Sequence, residues 1–171
     1  TAVETSHAEL EADEVLVATG SWTPLLKESL GVKLPIQPGK GYSITMARPK
    51  ICPKYPMILE ECHVAITPFD KGYRVGSTME FAGYDTNLNQ QRLNYLRSGA
   101  AQYLIEPTAE PVEEEWYGWR PMTTDGIPFI DRSPRFKNVW VAAGHSMLGI
   151  SMGTGTGKLV AEMISGQKPH V

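Results

Sequence analysis

One arginine of the sequence has apolar neighbours, so its positive charge needs an anionic partner. Arg120 lies between Trp119 and Pro121, at the end of a segment rich in aromatic residues. A guanidinium near apolar surface keeps its charge and needs an anionic partner, either a carboxylate of the same protein or one on a bound ligand. From the chemistry of this segment alone, we favour the internal ion pair.

A glycine-rich segment near the end of the chain could bind a phosphate or another electron-rich group. Residues 153–158 read Gly-Thr-Gly-Thr-Gly-Lys, but Met152 and Leu159 occupy positions that a P-loop reserves for Gly and for Ser or Thr. The dinucleotide pattern G-x-G-x-x-G also fails, because Lys158 stands where its third glycine belongs. A glycine-rich entry into a helix would still expose backbone N–H groups and a positive dipole end. Close packing of the helix against a strand explains the same glycines equally well.

The histidines do not form a metal-binding pattern. We predict no metal site, because the four histidines are not spaced as metal ligands are along a sequence. They are His7, His63, His145 and His170. Only His145 has a suggestive position, because it follows an apolar strand and precedes the glycine-rich segment. A lone histidine there is more often structural than catalytic.

Composition excludes several classes of protein. The 171 residues are 42% hydrophobic and 20% charged, which excludes a disordered chain. A net charge of −3 without any basic run argues against nucleic-acid binding. No apolar stretch is long enough to span a bilayer, and no signal peptide is visible. Because Cys52 and Cys62 suit neither a zinc site nor a disulfide framework, we expect a reducing, cytoplasmic compartment, with peripheral contact at the inner membrane left open.

The elements that must position these residues follow an α+β pattern. Two apolar runs end in a Thr-Gly-Ser turn or a glycine, which is typical of buried strands. A hairpin turn over residues 69–72 separates two alternating segments. A glycine-rich turn precedes the final helix, for which Gly166 supplies the cap. The predicted strands are 14–18, 42–46, 63–68, 73–78, 113–119, 128–131 and 138–144, and the predicted helices are 88–104 and 156–164.

Two longer motifs carry a family resemblance. Residues 118–128, Gly-Trp-Arg-Pro-Met-Thr-Thr-Asp-Gly-Ile-Pro, and residues 138–149, with an Ala-Ala-Gly-His core, resemble the C-terminal signature of the FAD-dependent D-amino-acid oxidase/dehydrogenase superfamily. Segments 40–43, 64–67 and 165–169 are similar to the bacterial D-amino-acid dehydrogenase branch. The resemblance covers nearly the whole chain, and its motifs occur in the family's order.

The chain departs from that family in three respects. The N-terminal G-x-G-x-x-G fingerprint is absent, so the chain resembles the C-terminal part of such an enzyme. Asp131 stands where the branch tends to have glycine, and Cys62 stands where it often has tyrosine. Both differences leave the identity of the substrate open.

The resemblance implies a role for each matching residue. Arg120 matches the position that clamps the substrate carboxylate, and the turn from His145 to Gly157 matches the segment lying against the flavin ring. Gly20 matches a position where the backbone passes close to the dinucleotide. The implied catalytic residues are therefore Arg120 and His145, and the implied cofactor-binding residues are Gly20, Gly144, His145, Gly149, Gly153, Thr154 and Gly155.

The resemblance also implies a domain organisation. Residues 1–37 would be a remnant of the FAD-binding sheet with a connector, residues 38–118 the antiparallel substrate-binding sheet, and residues 119–171 the return to the FAD-binding domain. Strands 15–18 and 138–143 are similar in length and both end near a glycine. These features and the resemblance together predict that the two strands lie side by side and parallel.

The implied function is oxidation of the CH–NH2 group of a D-amino acid by hydride transfer to FAD, which needs no acid–base pair. A glycine or sarcosine oxidase, or a flavin-free binding module on the same fold, remains open. The expected partners are a small amino acid and an N-terminal FAD-binding segment. A quinone or membrane contact and self-association through an apolar patch also remain open, and we expect the isolated chain to be inactive.

Overall fold

The computed structural model describes residues 2–171 and divides the chain into two compact units. One unit comprises the chain up to Pro38 together with Arg120–Val171, and the other comprises Gly39–Trp119. The chain crosses between them within two long strands, β4 (Gln37–Ala47) and β8 (Val112–Met122). Helices and a mostly antiparallel set of strands confirm the predicted α+β class.

The unit that contains both termini is built on a three-stranded sheet. Its central strand, β10 (Val139–Ala143), is buried at every position and pairs in parallel with β3 (Val15–Val17). Its other neighbour, β9 (Phe129–Arg132), runs antiparallel to it. The parallel pairing of the two apolar runs is therefore confirmed. Because parallel strands place their carboxyl ends at one edge, the segments following β3 and β10 emerge on the same side of this sheet.

Short elements surround this sheet. The hairpin of β1 (Ala2–Glu4) and β2 (Glu9–Glu11) was not predicted, since each strand has only three residues and little apolar alternation. A 3₁₀ segment, Gly20–Leu26, leads into α1 (Lys27–Leu30).

The last helix, α3, begins earlier than predicted. It spans Gly149–Ile164, so the predicted glycine-rich turn up to Gly157 is wrong, and so is the predicted start at Thr156. An interior glycine costs a helix about 1 kcal/mol, which is why the sequence favours a turn over these residues. The predicted cap is correct, because Gly166 has a φ of 71° and its amide donates to the Met163 carbonyl over 3.2 Å. Within residues 2–171, none of the helices has the length and apolarity needed to cross a membrane.

The second unit carries a five-stranded antiparallel sheet. Its strands β5 (Met57–Leu59), β6 (Val64–Pro68) and β7 (Gly72–Glu80) join β4 and β8 in the order β5-β6-β7-β4-β8. The amide of Phe69 donates to the Gly72 carbonyl over 2.9 Å and closes the predicted hairpin. The Asn89 side chain caps the following helix by accepting from two backbone amides, which shortens the predicted 88–104 helix at its start. This helix, α2, spans Gln90–Ala101, so it also ends before the predicted residue 104.

The core of this unit lies between the sheet and α2. Alternate residues of β4 point into it, since Tyr42, Ile44 and Met46 are all buried. The helix contributes Leu93 and Leu96, which are fully buried against the same cluster.

One irregularity interrupts the pairing of β7 with β4. Gly41 pairs with Met79 and Ser43 with Gly76, so two residues of β7 lie opposite Tyr42 alone. One of them, Ser77, has a φ of 101°, as expected for an extra residue in a β-bulge.

Candidate functional site

Arg120 lies near the end of β8 with an unsatisfied buried nitrogen. Its Nη1 is inaccessible to solvent and has no hydrogen-bond partner. None of the ion pairs within residues 2–171 includes Arg120, so the internal ion pair favoured by local chemistry is wrong. Burial lowers the pKa of this guanidinium, which nevertheless remains charged at neutral pH. The site therefore holds a half-buried cation, and no partner for its buried Nη1 is supplied by the described part of the chain.

The residues after Arg120 are fixed against the segment that follows β10. The amide of Ser146 donates to the Pro121 carbonyl over 3.1 Å. A Cβ in place of a Gly144 hydrogen would lie 2.7 Å from Cγ2 of Thr123, so the Thr123 side chain packs directly against the Gly144 backbone and leaves room only for glycine. Gly144 also has a φ of 89°, a conformation in which an L side chain is strained.

Ser146 adopts a left-handed conformation without being glycine. Its φ is 51°, and its Oγ is buried without a partner. The Thr123 Oγ1 is buried and unpartnered in the same way. Sequence reasoning did not identify either hydroxyl, because serine and threonine are ordinary in turns and burial of their oxygens is a property of the folded chain.

His145 is held by the helix that follows it. One ring nitrogen, Nε2, lies 2.9 Å from the Thr156 Oγ1, two turns into α3. Burial lowers the pKa of His145, so the ring is neutral near pH 7. A neutral imidazole bonded to a hydroxyl orients the segment between β10 and α3 and adds no charge to it.

The N-terminus of α3 leaves its first backbone N–H groups without a side-chain cap. Leu148 occupies the cap position, and the first turn contains no acidic residue. Gly149 opens the helix, while Gly153, Thr154 and Gly155 lie within it and are exposed. No atom lies within 4 Å of a Cβ added at Gly153 or Gly155, so this stretch of helix surface is smooth and open.

Gly20 lies apart from that helix, on the segment after β3. Its φ is 55°, and a Cβ there would have no neighbour within 4 Å. Because β3 and β10 are parallel neighbours, Gly20 and Gly144 follow strands that end at one edge of the sheet. The predicted residues Gly144, His145 and Gly149 therefore lie on the one segment that joins β10 to α3, and Gly20 lies at the same edge of the sheet.

The two departures from the family pattern have ordinary surroundings. Cys62 is buried in the core of the second unit, with its Sγ 3.6 Å from the Leu59 carbonyl. Asp131 is exposed on β9, and its carboxylate accepts from the Arg132 amide over 2.7 Å.

Comparison with known proteins identifies the family. The sequence matches the FAD dependent oxidoreductase family over residues 1–163. The chain belongs to this family. A D-amino acid dehydrogenase of Granulibacter bethesdensis is 39% identical over the whole chain, and one of Chromohalobacter salexigens is 37% identical over 99% of it. The chain spans 41% of the length of each of these relatives.

Solved structures show the same fold. Glycine oxidase from Geobacillus kaustophilus superposes with a TM-score of 0.88 at 25% identity, covering 99% of this chain and 46% of that one. L-proline dehydrogenase from P. horikoshii gives a TM-score of 0.81 at 24% identity, covering 98% and 46%.

The described residues fit the cofactor that the family name implies. A flavin ring is large and planar and carries carbonyl oxygens and ring nitrogens, so it suits exposed N–H groups beside an unobstructed surface. The uncapped start of α3 at Gly149 provides such donors, and the glycines of its second turn present no side chain. The absence of acidic residues from the first helical turn also favours a group that becomes negatively charged.

Proposed function

We propose that the chain is the C-terminal part of an FAD-dependent D-amino acid dehydrogenase. The proposed reaction removes hydride from the α-carbon of a D-amino acid and gives an imino acid, which water hydrolyses to a keto acid and ammonia. Support comes from the 39% identity to a D-amino acid dehydrogenase over the whole chain and from the chemistry of the site. Bound FAD supplies the two-electron acceptor.

The observation that carries the proposal is the unsatisfied guanidinium of Arg120. A half-buried cation with a solvent-inaccessible, unpartnered Nη1 and no carboxylate partner among residues 2–171 is suited to an anionic ligand. The planar fork of arginine binds a carboxylate through two parallel hydrogen bonds and so fixes the orientation of the group attached to it. Arg120 therefore holds the substrate carboxylate and determines which face of the α-carbon is presented for reaction.

The other residues of the site contribute position and polarity. His145, neutral and hydrogen bonded to Thr156, keeps the segment before α3 in a fixed conformation. The amides at the start of α3 would hold the flavin through its carbonyl side, where the helix dipole stabilises developing negative charge. Gly20, Gly144 and Gly149 let the backbone approach the cofactor, while Gly153, Thr154 and Gly155 would lie along its neighbouring surface.

In this proposal the Gly39–Trp119 unit forms the substrate side of the enzyme, and the first unit forms part of the FAD-binding domain. An N-terminal segment completes that domain in the full-length protein, whose relatives are more than twice as long. The electron acceptor after FAD is a quinone or oxygen, and the full-length protein works in the cytoplasm or at the inner face of the membrane.

The test is a substrate panel on the full-length protein reconstituted with FAD. Oxidation of D-alanine and other D-amino acids is expected with an artificial electron acceptor, and their L-enantiomers should be inactive. Oxidation of glycine and sarcosine in preference to D-amino acids would instead support the amine oxidase, an alternative that the similarity in fold to glycine oxidase favours. Absence of both flavin binding and oxidation would support a flavin-free binding module.

A further inference from the structure

Three buried polar atoms without partners lie in two segments that contact each other. They are the Arg120 Nη1, the Thr123 Oγ1 and the Ser146 Oγ. The two segments are joined by the hydrogen bond from the Ser146 amide to the Pro121 carbonyl and by the close approach of Gly144 to Thr123. A buried hydroxyl without a partner destabilises the folded protein, so three unpartnered polar atoms in two contacting segments require an explanation.

We infer that Thr123 and Ser146 are further substrate-binding residues, whose hydroxyls donate hydrogen bonds to the same carboxylate that Arg120 binds. This inference rests on the proposed function of Arg120. It assigns the two hydroxyls to a small monocarboxylate ligand, of which the amino-acid substrate is one.

The hydrogen-bonding capacity of a carboxylate explains why one arginine is insufficient. Its two oxygens offer about four acceptor positions, and a bidentate guanidinium occupies two of them. In a site that excludes water, the remaining two would be left unsatisfied unless other donors reach them. Two hydroxyl donors complete the set, and each carries a single proton with no other acceptor within the described chain.

The backbone conformation of Ser146 supports a role for its side chain. Its φ of 51° is strained for any residue except glycine, and glycine would relieve that strain. Retaining a serine here maintains a hydroxyl at the expense of stability, as expected where a side chain contacts a ligand.

A ligand role and a structural role predict opposite effects on stability. Thr123→Val keeps the shape of the side chain and removes an unsatisfied hydroxyl. The full-length protein, kept free of carboxylate ligands, should therefore melt about 1–2 °C higher than the unsubstituted protein. A hydroxyl that forms a structural bond would give a lower melting temperature, and that result would overturn the inference.

Binding is measured on the full-length protein loaded with FAD, with sodium propionate as an unreactive carboxylate and propionamide as the uncharged control. Thr123→Val and Ser146→Ala should each weaken propionate binding about ten-fold or more, by titration calorimetry, and weaken propionamide binding less, because the amide oxygen is an uncharged and weaker acceptor. Ser146→Gly should lose as much propionate affinity as Ser146→Ala while melting at a higher temperature. Unchanged propionate affinity in these variants would refute the role of the hydroxyls.

The two proposals can fail separately. A protein that oxidises no D-amino acid, yet binds propionate through all three residues, would contradict the proposed dehydrogenase and support the carboxylate site. A protein that oxidises D-amino acids with unaltered propionate affinity in the hydroxyl variants would support the dehydrogenase and refute the further inference.

Discussion

The ammonium of Lys40 lies 2.9 Å from the Asp85 Oδ2, with its own side chain fully buried and the aspartate 39% exposed. The Asn87 carbonyl also accepts from this ammonium, and the Tyr117 ring lies 4.6 Å from it. Burial acts to lower the pKa of Lys40, but the hydrogen bond to Asp85 and its other neighbours raise the pKa above its ordinary value. This pair fixes the loop between β7 and α2 onto the sheet.

The two partners should differ in how much stability they contribute. Asp85→Asn leaves a buried ammonium without its counter-ion, whereas Lys40→Met fills the same space and leaves a carboxylate that water can reach. We expect the melting temperature to fall more for Asp85→Asn than for Lys40→Met, and the double variant to recover part of the loss. Equal losses, or a larger one for Lys40→Met, would contradict this reading of the pair.

Substitution of Arg120 should affect substrate binding more than folding. In the full-length protein, Arg120→Lys replaces a two-pronged donor by a point charge and should cost about 1.5–3 kcal/mol of substrate binding, on the order of ten- to a hundred-fold in KM. Arg120→Ala should cost more, and flavin content should stay normal in both. An unchanged KM with a lowered melting temperature would show that the arginine has a structural role.

Two glycines near the site should respond in opposite directions to alanine. Gly153→Ala adds a methyl group to an open helix surface and should stabilise the chain by about 0.5–1 kcal/mol. Gly144→Ala forces a methyl group against Thr123 at a positive φ and should destabilise it by more than about 1 kcal/mol. Thermal unfolding of the isolated chain measures both. If Gly153 also lies against the flavin, its alanine variant should retain less FAD in the full-length protein despite its higher stability.

The C-terminal tail should contribute stability that acid removes. The His170 ring donates to the Glu162 carboxylate over 2.7 Å, and the His170 amide and Lys158 contact it as well. The hydrogen bond from the His170 ring, with these other donors, lowers the pKa of Glu162 from 4.5 to about 2. A carboxyl whose pKa is lower in the folded state stabilises it above the ordinary pKa and loses that effect as pH falls through the folded value.

The stability of the unsubstituted chain should therefore exceed that of Glu162→Gln at pH 6, and the difference should shrink between about pH 5 and pH 2. Chemical denaturation at several pH values measures this difference. Glu113→Gln, at an exposed position of β8, is the control for the removal of one carboxylate from the chain. A constant difference for Glu162→Gln across this range would refute the predicted linkage.

The isolated chain should bind FAD weakly, because the proposed adenine and pyrophosphate site belongs to the segment outside it. It should also self-associate, since apolar side chains are exposed near the site, including Met147, Leu148 and Ile150. Flavin absorbance after desalting and light scattering measure both properties. A yellow, monomeric 171-residue chain with stoichiometric flavin would contradict this prediction.

The fold was predictable where apolar periodicity determined it. The runs that became β3 and β10 are apolar throughout and end in turn residues, which was sufficient to predict two buried parallel neighbours. The segment before Thr156 was misjudged because three glycines in six residues indicate a turn. Local propensity does not account for its helical conformation, and packing within residues 2–171 buries only Val160 of α3.

The site was predictable only in part, and for a physical reason. The types of residue around Arg120 suggested an anionic partner, but distinguishing a ligand from an internal carboxylate requires knowing which side chains surround it. The hydroxyls of Thr123 and Ser146 are buried because two segments more than twenty residues apart contact each other. The local sequence of neither segment indicates that contact.

The bulge at Ser77 determines which face of the sheet receives a charge. Before it, the odd-numbered residues Tyr73 and Val75 face α2; after it, Glu80 faces the helix instead and accepts hydrogen bonds from Tyr42 and Arg92. A strand of strict two-residue period would turn this carboxylate to the opposite face and separate it from both donors. Because of the extra residue, odd-numbered residues of β7 face α2 before Ser77 and even-numbered residues face it afterwards. One strand therefore supplies apolar side chains to the core at one end and a carboxylate to the same face of the sheet at the other.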